Sequence, residues 1–253
     1  MKRLFGLRLA IFFASIALVT GVAPASAQVS DDNWHTRLTL YGWLPTIGGT
    51  QSGPDEVPLI ELEAKSVFDA LNAAFFGSAE IRKGKFGLLF DIAYADLSSD
   101  GQLRRLRLPV EVRTKVTMGT VAATWRLHED DRGWVDAVGG LRPYSVEVGG
   151  SLTLPIVGKI DRDQTSEWVD PIVGLRGGYQ FTDRIGVTAL GDIGGFGVGS
   201  QLQWELLGTV NYAFTDRFSG LLGYRYISVD YDSDTLNLDI DLYGPMVGLS
   251  YSF

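Results

Sequence analysis

From Asn33 onward the chain alternates apolar and polar residues with a period of two, almost without interruption. The stretch 202–214 is the cleanest. Leu202, Trp204, Leu206, Gly208, Val210, Tyr212 and Phe214 share one parity, and Gln201, Gln203, Glu205, Thr209 and Asn211 share the other. Successive side chains of a strand point to opposite faces, so this pattern predicts a strand with one apolar and one polar side. Its length suits a tilted membrane strand of about 9–11 residues. A half-buried strand of a soluble sandwich has the same alternation, so one strand decides little.

A repeat decides more. Gly178-Tyr179-Gln180-Phe181-Thr182-Asp183-Arg184 recurs as Asn211-Tyr212-Ala213-Phe214-Thr215-Asp216-Arg217, and the chain ends Tyr251-Ser252-Phe253. Three strands thus finish on two aromatic rings of one parity, and two of them run on into the same tight Thr-Asp-Arg turn. Trp125-Arg126-Leu127, before a turn at 128–133, is a looser fourth copy. Trp125, Tyr179, Phe181, Tyr212, Phe214, Tyr251 and Phe253 are therefore expected to form an outward aromatic girdle. A ring of interfacial aromatics beside short turns is what the periplasmic rim of a barrel requires.

Counting from that rim predicts an all-β fold, a transmembrane antiparallel up-and-down β-barrel of about ten strands. They are expected near 35–44, 73–83, 86–97, 112–127, 134–146, 168–181, 185–196, 202–214, 218–231 and 242–253. Eight strands follow if the first hairpin is outside the wall, and twelve if 57–65 adds a pair. Short turns fall at Gly84-Lys85, at 128–133 and at the two Thr-Asp-Arg sites, and the longer polar connections fall at the opposite edge. In the fourth strand Val112, Val116 and Met118 are even, whereas Val121, Ala123, Trp125 and Leu127 are odd. A bulge between them is expected to shift the phase.

The N-terminus reads differently. Lys2, Arg3 and Arg8 precede an apolar run from Leu9 to about Val22, and Ala25-Ser26-Ala27 offers a small-x-small cleavage site. Residues 1–27 are expected to be a signal peptide and 28–253 the barrel domain. Of 22 basic and 30 acidic residues, three basic and no acidic ones precede Gln28, so the mature chain carries 19 against 30. That balance argues against a nucleic-acid partner. With no cysteine, disulfides and thiolate chemistry are excluded.

The last strand places Tyr243, Val247, Leu249, Tyr251 and Phe253 on one face and Gly244, Gly248, Ser250 and Ser252 on the other. It resembles the C-terminal targeting strand of outer-membrane barrels, which ends in Phe and is read by the barrel-assembly machinery. Tyr41-Gly42-Trp43-Leu44-Pro45, the run from Trp168 to Arg176 and the run from Gly191 to Ser200 look like a family of small Gram-negative outer-membrane barrels. The chain resembles OmpA and OmpW kinds of barrel more loosely. The resemblance implies architecture, an outer-membrane location and contact with lipid and lipopolysaccharide; it implies no defined activity.

Chemistry would sit on the inward face. The register assigns Arg37, Glu80, Arg82, Asp91, Arg113, Lys115, Asp136, Arg142, Asp170, Arg176, Asp192, Glu205 and Arg225 to the lumen, seven basic and six acidic residues. In so narrow a barrel, near-balanced charge fits an interlocking ion-pair network, because unpaired buried charges are costly. The same charges would also suit a narrow porin-like path for small polar solutes. Outer-membrane enzymes of this kind use a His near the extracellular rim. The only histidines here, His35 and His128, fall at the periplasmic edge. The chain is therefore expected not to be an enzyme and to need no cofactor, with a lipid- or peptide-directed enzyme as one alternative and a loop-borne adhesin or receptor as another. Asp230, Asp232 and Asp234 have the spacing of a calcium loop, but Thr235 stands where that loop needs Gly, so no metal site is expected. Arg104, Arg105 and Arg107 form a basic patch suited to lipopolysaccharide phosphates. Ser66 to Leu71 is expected to form a short helix over the barrel mouth.

Overall fold

The computed structural model describes residues 33–52, 64–103, 108–154, 158–232 and 237–253. The signal region, the arginines at 104–107, residue 234 of the acidic loop and most of 57–65 lie outside these.

The strands are β1 (Trp34–Trp43), β2 (Thr46–Ser52), β3 (Leu71–Lys83), β4 (Phe86–Leu103), β5 (Leu108–Glu129), β6 (Gly133–Leu154), β7 (Gly158–Gln180), β8 (Ile185–Gly194), β9 (Leu202–Ala213), β10 (Phe218–Asp232) and β11 (Asn237–Ser252). Among the described residues one helix, α1 (Ala64–Asp69), leads into β3. Every strand from β3 to β11 pairs antiparallel with the next, β1 pairs with β3, and β11 returns to β1, so ten wall strands close the barrel. β2 adds no eleventh position. It continues β1 along β11 in the same register, from Trp43↔Met246 to Thr46↔Tyr243. Pro45, which has no N–H to give the ladder, interrupts it, while Leu44 N still donates to Pro245 O at 3.1 Å.

The repeated sequence makes a repeated turn. Thr182 Oγ1 accepts from Arg184 N and Ile185 N at 3.3 and 3.0 Å, and Thr215 Oγ1 accepts from Arg217 N and Phe218 N at the same distances. A hydroxyl bonded to the backbone two and three residues on fixes such turns. Gly84 supplies a φ of 55° at the tightest hairpin, where a side chain would be strained. Tyr179–Phe181, Tyr212–Phe214 and Tyr251–Phe253 meet edge to face at 5.2, 5.4 and 4.8 Å, all on the outer surface with Trp125. A second outward ring, not foreseen in the sequence, stacks Trp204, Tyr226 and Tyr243 at 4.7 and 5.5 Å. Tyr226 lies eight residues up β10 from Phe218, which at ~3.3 Å rise and ~40° tilt separates the rings by roughly 20 Å. Between them the outer face is a band of exposed Leu, Val, Ile and Phe.

Two expectations are corrected. β5 has no mid-strand bulge: its pairing with β4 runs unbroken from Phe86↔Trp125 to Leu103↔Leu108. Irregularities lie instead between Arg126 and His128 and between Leu71 and Ala73. Met118, Thr120, Ala122, Thr124 and Arg126 therefore all point inward and are buried, so Arg113 and Lys115 stand on the outward parity with exposed Val121. The cause is strand length. β5, β6 and β7 have 22, 22 and 23 residues against 10 and 12 in β8 and β9. Above the bilayer the outer face of β5 meets water at Arg113 and Lys115 while Val116 and Met118 stay on the inner face, so the polarity pattern exchanges without any change of phase. The second concerns the expected short helix, which is present as α1 but spans Ala64–Asp69 and not Ser66 to Leu71, and contacts β2.

Candidate functional site: the charged lumen

Inward parity brings nine of the thirteen expected lumen charges into two clusters, one just above the periplasmic turns and one further up the barrel, and adds Arg126. In the first, Asp136 accepts from Arg82 Nη2 and Arg126 Nε, both at 2.5 Å, and from Arg176 Nε at 3.0 Å. Arg176 also reaches across the lumen from β7 to Glu80 on β3, with Nη1 to Oε2 at 3.1 Å. The Trp134 ring lies under the guanidiniums of Arg126 and Arg176 at 4.9 and 5.1 Å, where its π-face attracts cations.

The second cluster centres on Arg142. Its Nη1 and Nη2 donate to Asp192 at 2.9 and 2.8 Å, Nη2 also to Glu205 at 2.5 Å, Nη1 to Gln203 Oε1 at 2.6 Å, and Nε to Thr120 Oγ1 at 3.1 Å. All five guanidinium donors point into this cradle. Arg225 donates from Nε to Glu205 at 2.8 Å and approaches Asp91 at 3.3 Å, and Tyr41 OH donates to Asp91 at 2.8 Å. Strands on opposite sides of the barrel are thereby tied together, since Arg225 on β10 meets Asp91 on β4.

The remaining four expected residues do not join. Arg37 sits at the periplasmic mouth with Nε on Ser252 Oγ at 3.3 Å. Among the described residues Asp170 bonds to no arginine; its carboxylate accepts from Ser200 N and Ser200 Oγ, each at 2.6 Å, and holds the loop between β8 and β9. Lys115 is bonded on the outside to Glu147 at 3.2 Å, and Arg113 is exposed on the same outward parity. Arg126 was the omission. Its position between outward Trp125 and Leu127 already implied an inward side chain, so the signal was present in the alternation.

Above the charges the lumen turns apolar. Tyr144, Trp168 and Tyr231 stack at 4.9 and 4.1 Å, and Ile227, Val229, Leu238 and Met246 are buried with them. Tyr41 and Trp43 pack on Phe76 at 5.7 and 6.4 Å. His128 is exposed near the end of β5, with Nε2 3.4 Å from Asp130, and His35 lies at the start of β1, paired with Arg82 across the ladder.

No protein-family model matches the chain, and no curated protein matches its sequence. Solved structures do. The outer membrane protease OmpT from Escherichia coli superposes with a TM-score of 0.53 at 11% identity, over 88% of this chain and 97% of that one. Ail, the attachment invasion locus protein of Yersinia pestis, gives 0.41 at 9% identity over 87% and 98%. The translocator domain of the autotransporter NalP from Neisseria meningitidis gives 0.44 at 11% over 87% and 88%. At these identities the likeness to OmpT is one of fold, the closed antiparallel barrel of Gram-negative outer-membrane proteins.

Proposed function

We propose that this chain is an outer-membrane barrel protein whose lumen is held shut by its own side chains, a structural wall protein and not a freely open pore. The apolar outer band between two aromatic rings supports placement in a membrane, and the fold shared with OmpT supports the outer membrane of a Gram-negative cell. One observation carries the closed lumen. Arg142, Asp136, Glu205 and Arg225 are each no more than 3% exposed although every one projects into the barrel interior. A water-filled path would leave such groups wet, and their mutual bonds replace the water instead. Export by the N-terminal signal, delivery by the barrel-assembly machinery and contact with lipopolysaccharide belong to the same reading.

The test is the conductance of the folded full-length protein in a planar bilayer. The proposal expects no steady openings from correctly inserted protein, and openings appearing when Arg142 and Arg225 are both shortened to Ala. Steady, sub-nanosiemens openings of the unaltered protein would overturn it in favour of a narrow pore for small polar solutes.

A further inference from the structure

The wall is not continuous around its whole circumference. β1 is bonded to β3 only from Trp34↔Lys83 to Leu40↔Gly77. Above that point, among the described residues, 41–43 and β2 pair with β11 alone, and 71–76 of β3 pair with β4 alone. The split opens level with Leu40, 63% exposed within the apolar outer band, and runs upward toward the ring of Trp204, Tyr226 and Tyr243.

A groove of about 570 Å³ fills this split. Its outer walls are Leu44, Phe75, Leu222 and Val247, with Phe68 of α1 and Leu71 also lining it, and its back is formed by Trp43 and Phe76, which belong to the apolar layer of the lumen. It shares Leu40, Phe75 and Val247 with a longer groove of about 1130 Å³ running down the outer face, where Gly42, Gly77, Ala79 and Gly119 keep the surface low. The two form one apolar track from the membrane face to the lumen.

At the inner end of the track a polar group is left over. Trp43 is 5% exposed, and its indole Nε1 is buried without a hydrogen-bond partner among the described residues. Buried indole donors ordinarily find an acceptor. An apolar track that opens onto the bilayer and carries one spare donor at its inner end matches a long hydrocarbon chain with an oxygen acceptor at its head. We propose that the split is a lateral port that seats one acyl chain of an outer-leaflet lipid, its ester oxygen accepting from Trp43 Nε1 and its chain descending past Leu40 and Phe75. This rests on the membrane placement proposed above, not on the closed lumen.

The test reconstitutes the full chain in phosphatidylcholine vesicles containing a lipid with a photoreactive diazirine beside the acyl ester, and maps the adducts by mass spectrometry. Adducts on inward Trp43, Phe76 or Met246, together with outward Leu206 and Val210 on the far wall, are expected. Trp43→Phe should lower the yield on Phe76 and Met246 about three- to tenfold, the size of one hydrogen bond. Gly42→Trp should abolish it by laying a ring over the port; an added Cβ there meets nothing nearer than Val247 O at 4.0 Å, so the barrel is expected to fold. Adducts confined to Leu206, Val210 and other outward residues would overturn the port and leave the membrane placement standing. No adducts on either set would overturn both. Labelling of Trp43 that appears only after residues 53–63 are replaced by a Gly-Ser linker would make that segment the occupant and overturn the lipid. Labelling by a photoreactive free fatty acid but not by the phospholipid would overturn entry from the bilayer.

Discussion

Arg142 on β6 grips Asp192 on β8 with both terminal nitrogens, at 2.9 and 2.8 Å, over a strand that lies between them. The fork-on-carboxylate geometry is the strongest form of charged hydrogen bond. Glu205 and Gln203 complete the cradle, so one guanidinium compensates two carboxylates inside the barrel. Arg142→Met should therefore leave Asp192 without its cation and Glu205 with Arg225 alone, and lower stability by about 3–5 kcal/mol, read from urea unfolding of the reconstituted barrel. Adding Asp192→Leu and Glu205→Gln to the same chain should recover much of the loss, because the desolvated charges go with their partner.

The Lys115–Glu147 pair makes the opposite case. Its 3.2 Å contact is as short as several inside the barrel, yet both side chains are nearly half exposed on the outer surface. Exposed pairs contribute about 0–1 kcal/mol, so Lys115→Ala should shift the unfolding midpoint little and leave conductance unchanged. A loss comparable to that of Arg142→Met would mean that Lys115 belongs to the interior set after all.

The contrast shows which parts of the site were legible. Inward and outward residues follow from parity wherever a strand lies in the bilayer, because lipid keeps the outer face apolar; the nine clustered charges were found that way. Parity says nothing about which solvent wets the outer face. At Lys115 the strand has risen past the bilayer, and a polar residue facing water was read as one facing the lumen. Partners were less legible than faces. Arg225 meets Asp91 across the barrel, a contact set by curvature and stagger that no short-range pattern carries. The split beside β1 was hidden for a related reason: Pro45 was visible, but its effect depends on β11 holding the broken strand in register through Leu44 and Thr46.

Asp170 should behave as a latch for one loop. Its two bonds to Ser200 hold a turn in which Gly195 and Gly197 take φ values of 86° and 73° and Phe196 is forced to 52°. Asp170→Ala leaves Ser200 N and Oγ buried without that acceptor, a loss of about 1–3 kcal/mol. Limited proteolysis should then cut first at residues 195–200, while the rest of the wall stays protected.

Phe253 separates assembly from stability. Its ring is exposed on the outer rim, and its backbone N–H, which donates to Thr36 O at 2.9 Å, does not depend on the side chain. Phe253→Ala should accordingly leave the thermal midpoint of the folded barrel within a few degrees. If the last strand addresses the assembly machinery, the variant should still reduce the amount of folded protein reaching the outer membrane severalfold, measured by the heat-dependent gel shift. Equal yields from the two proteins would remove that role from the ring.

Acid should loosen one periplasmic turn before the barrel itself. Asp130 Oδ1 accepts from Arg132 N at 2.9 Å and from Gly133 N at 2.7 Å. These backbone bonds, with a smaller part from the neighbouring His128 ring, hold its carboxyl below the usual carboxylate range. A depressed folded value means that the unfolded turn binds the proton more readily. The stabilisation is thus fully present above about pH 4, the ordinary Asp value, and is lost as the pH falls through the lower folded one. Amide exchange at Arg132 and Gly133 in the reconstituted protein, corrected for intrinsic rates, should accelerate over that acid window while amides deeper in β5 and β6 stay protected. Asp130→Asn keeps an acceptor oxygen but no titrating group, so its exchange should be flat across the same range. A variant that still accelerates would take the acid sensitivity away from Asp130.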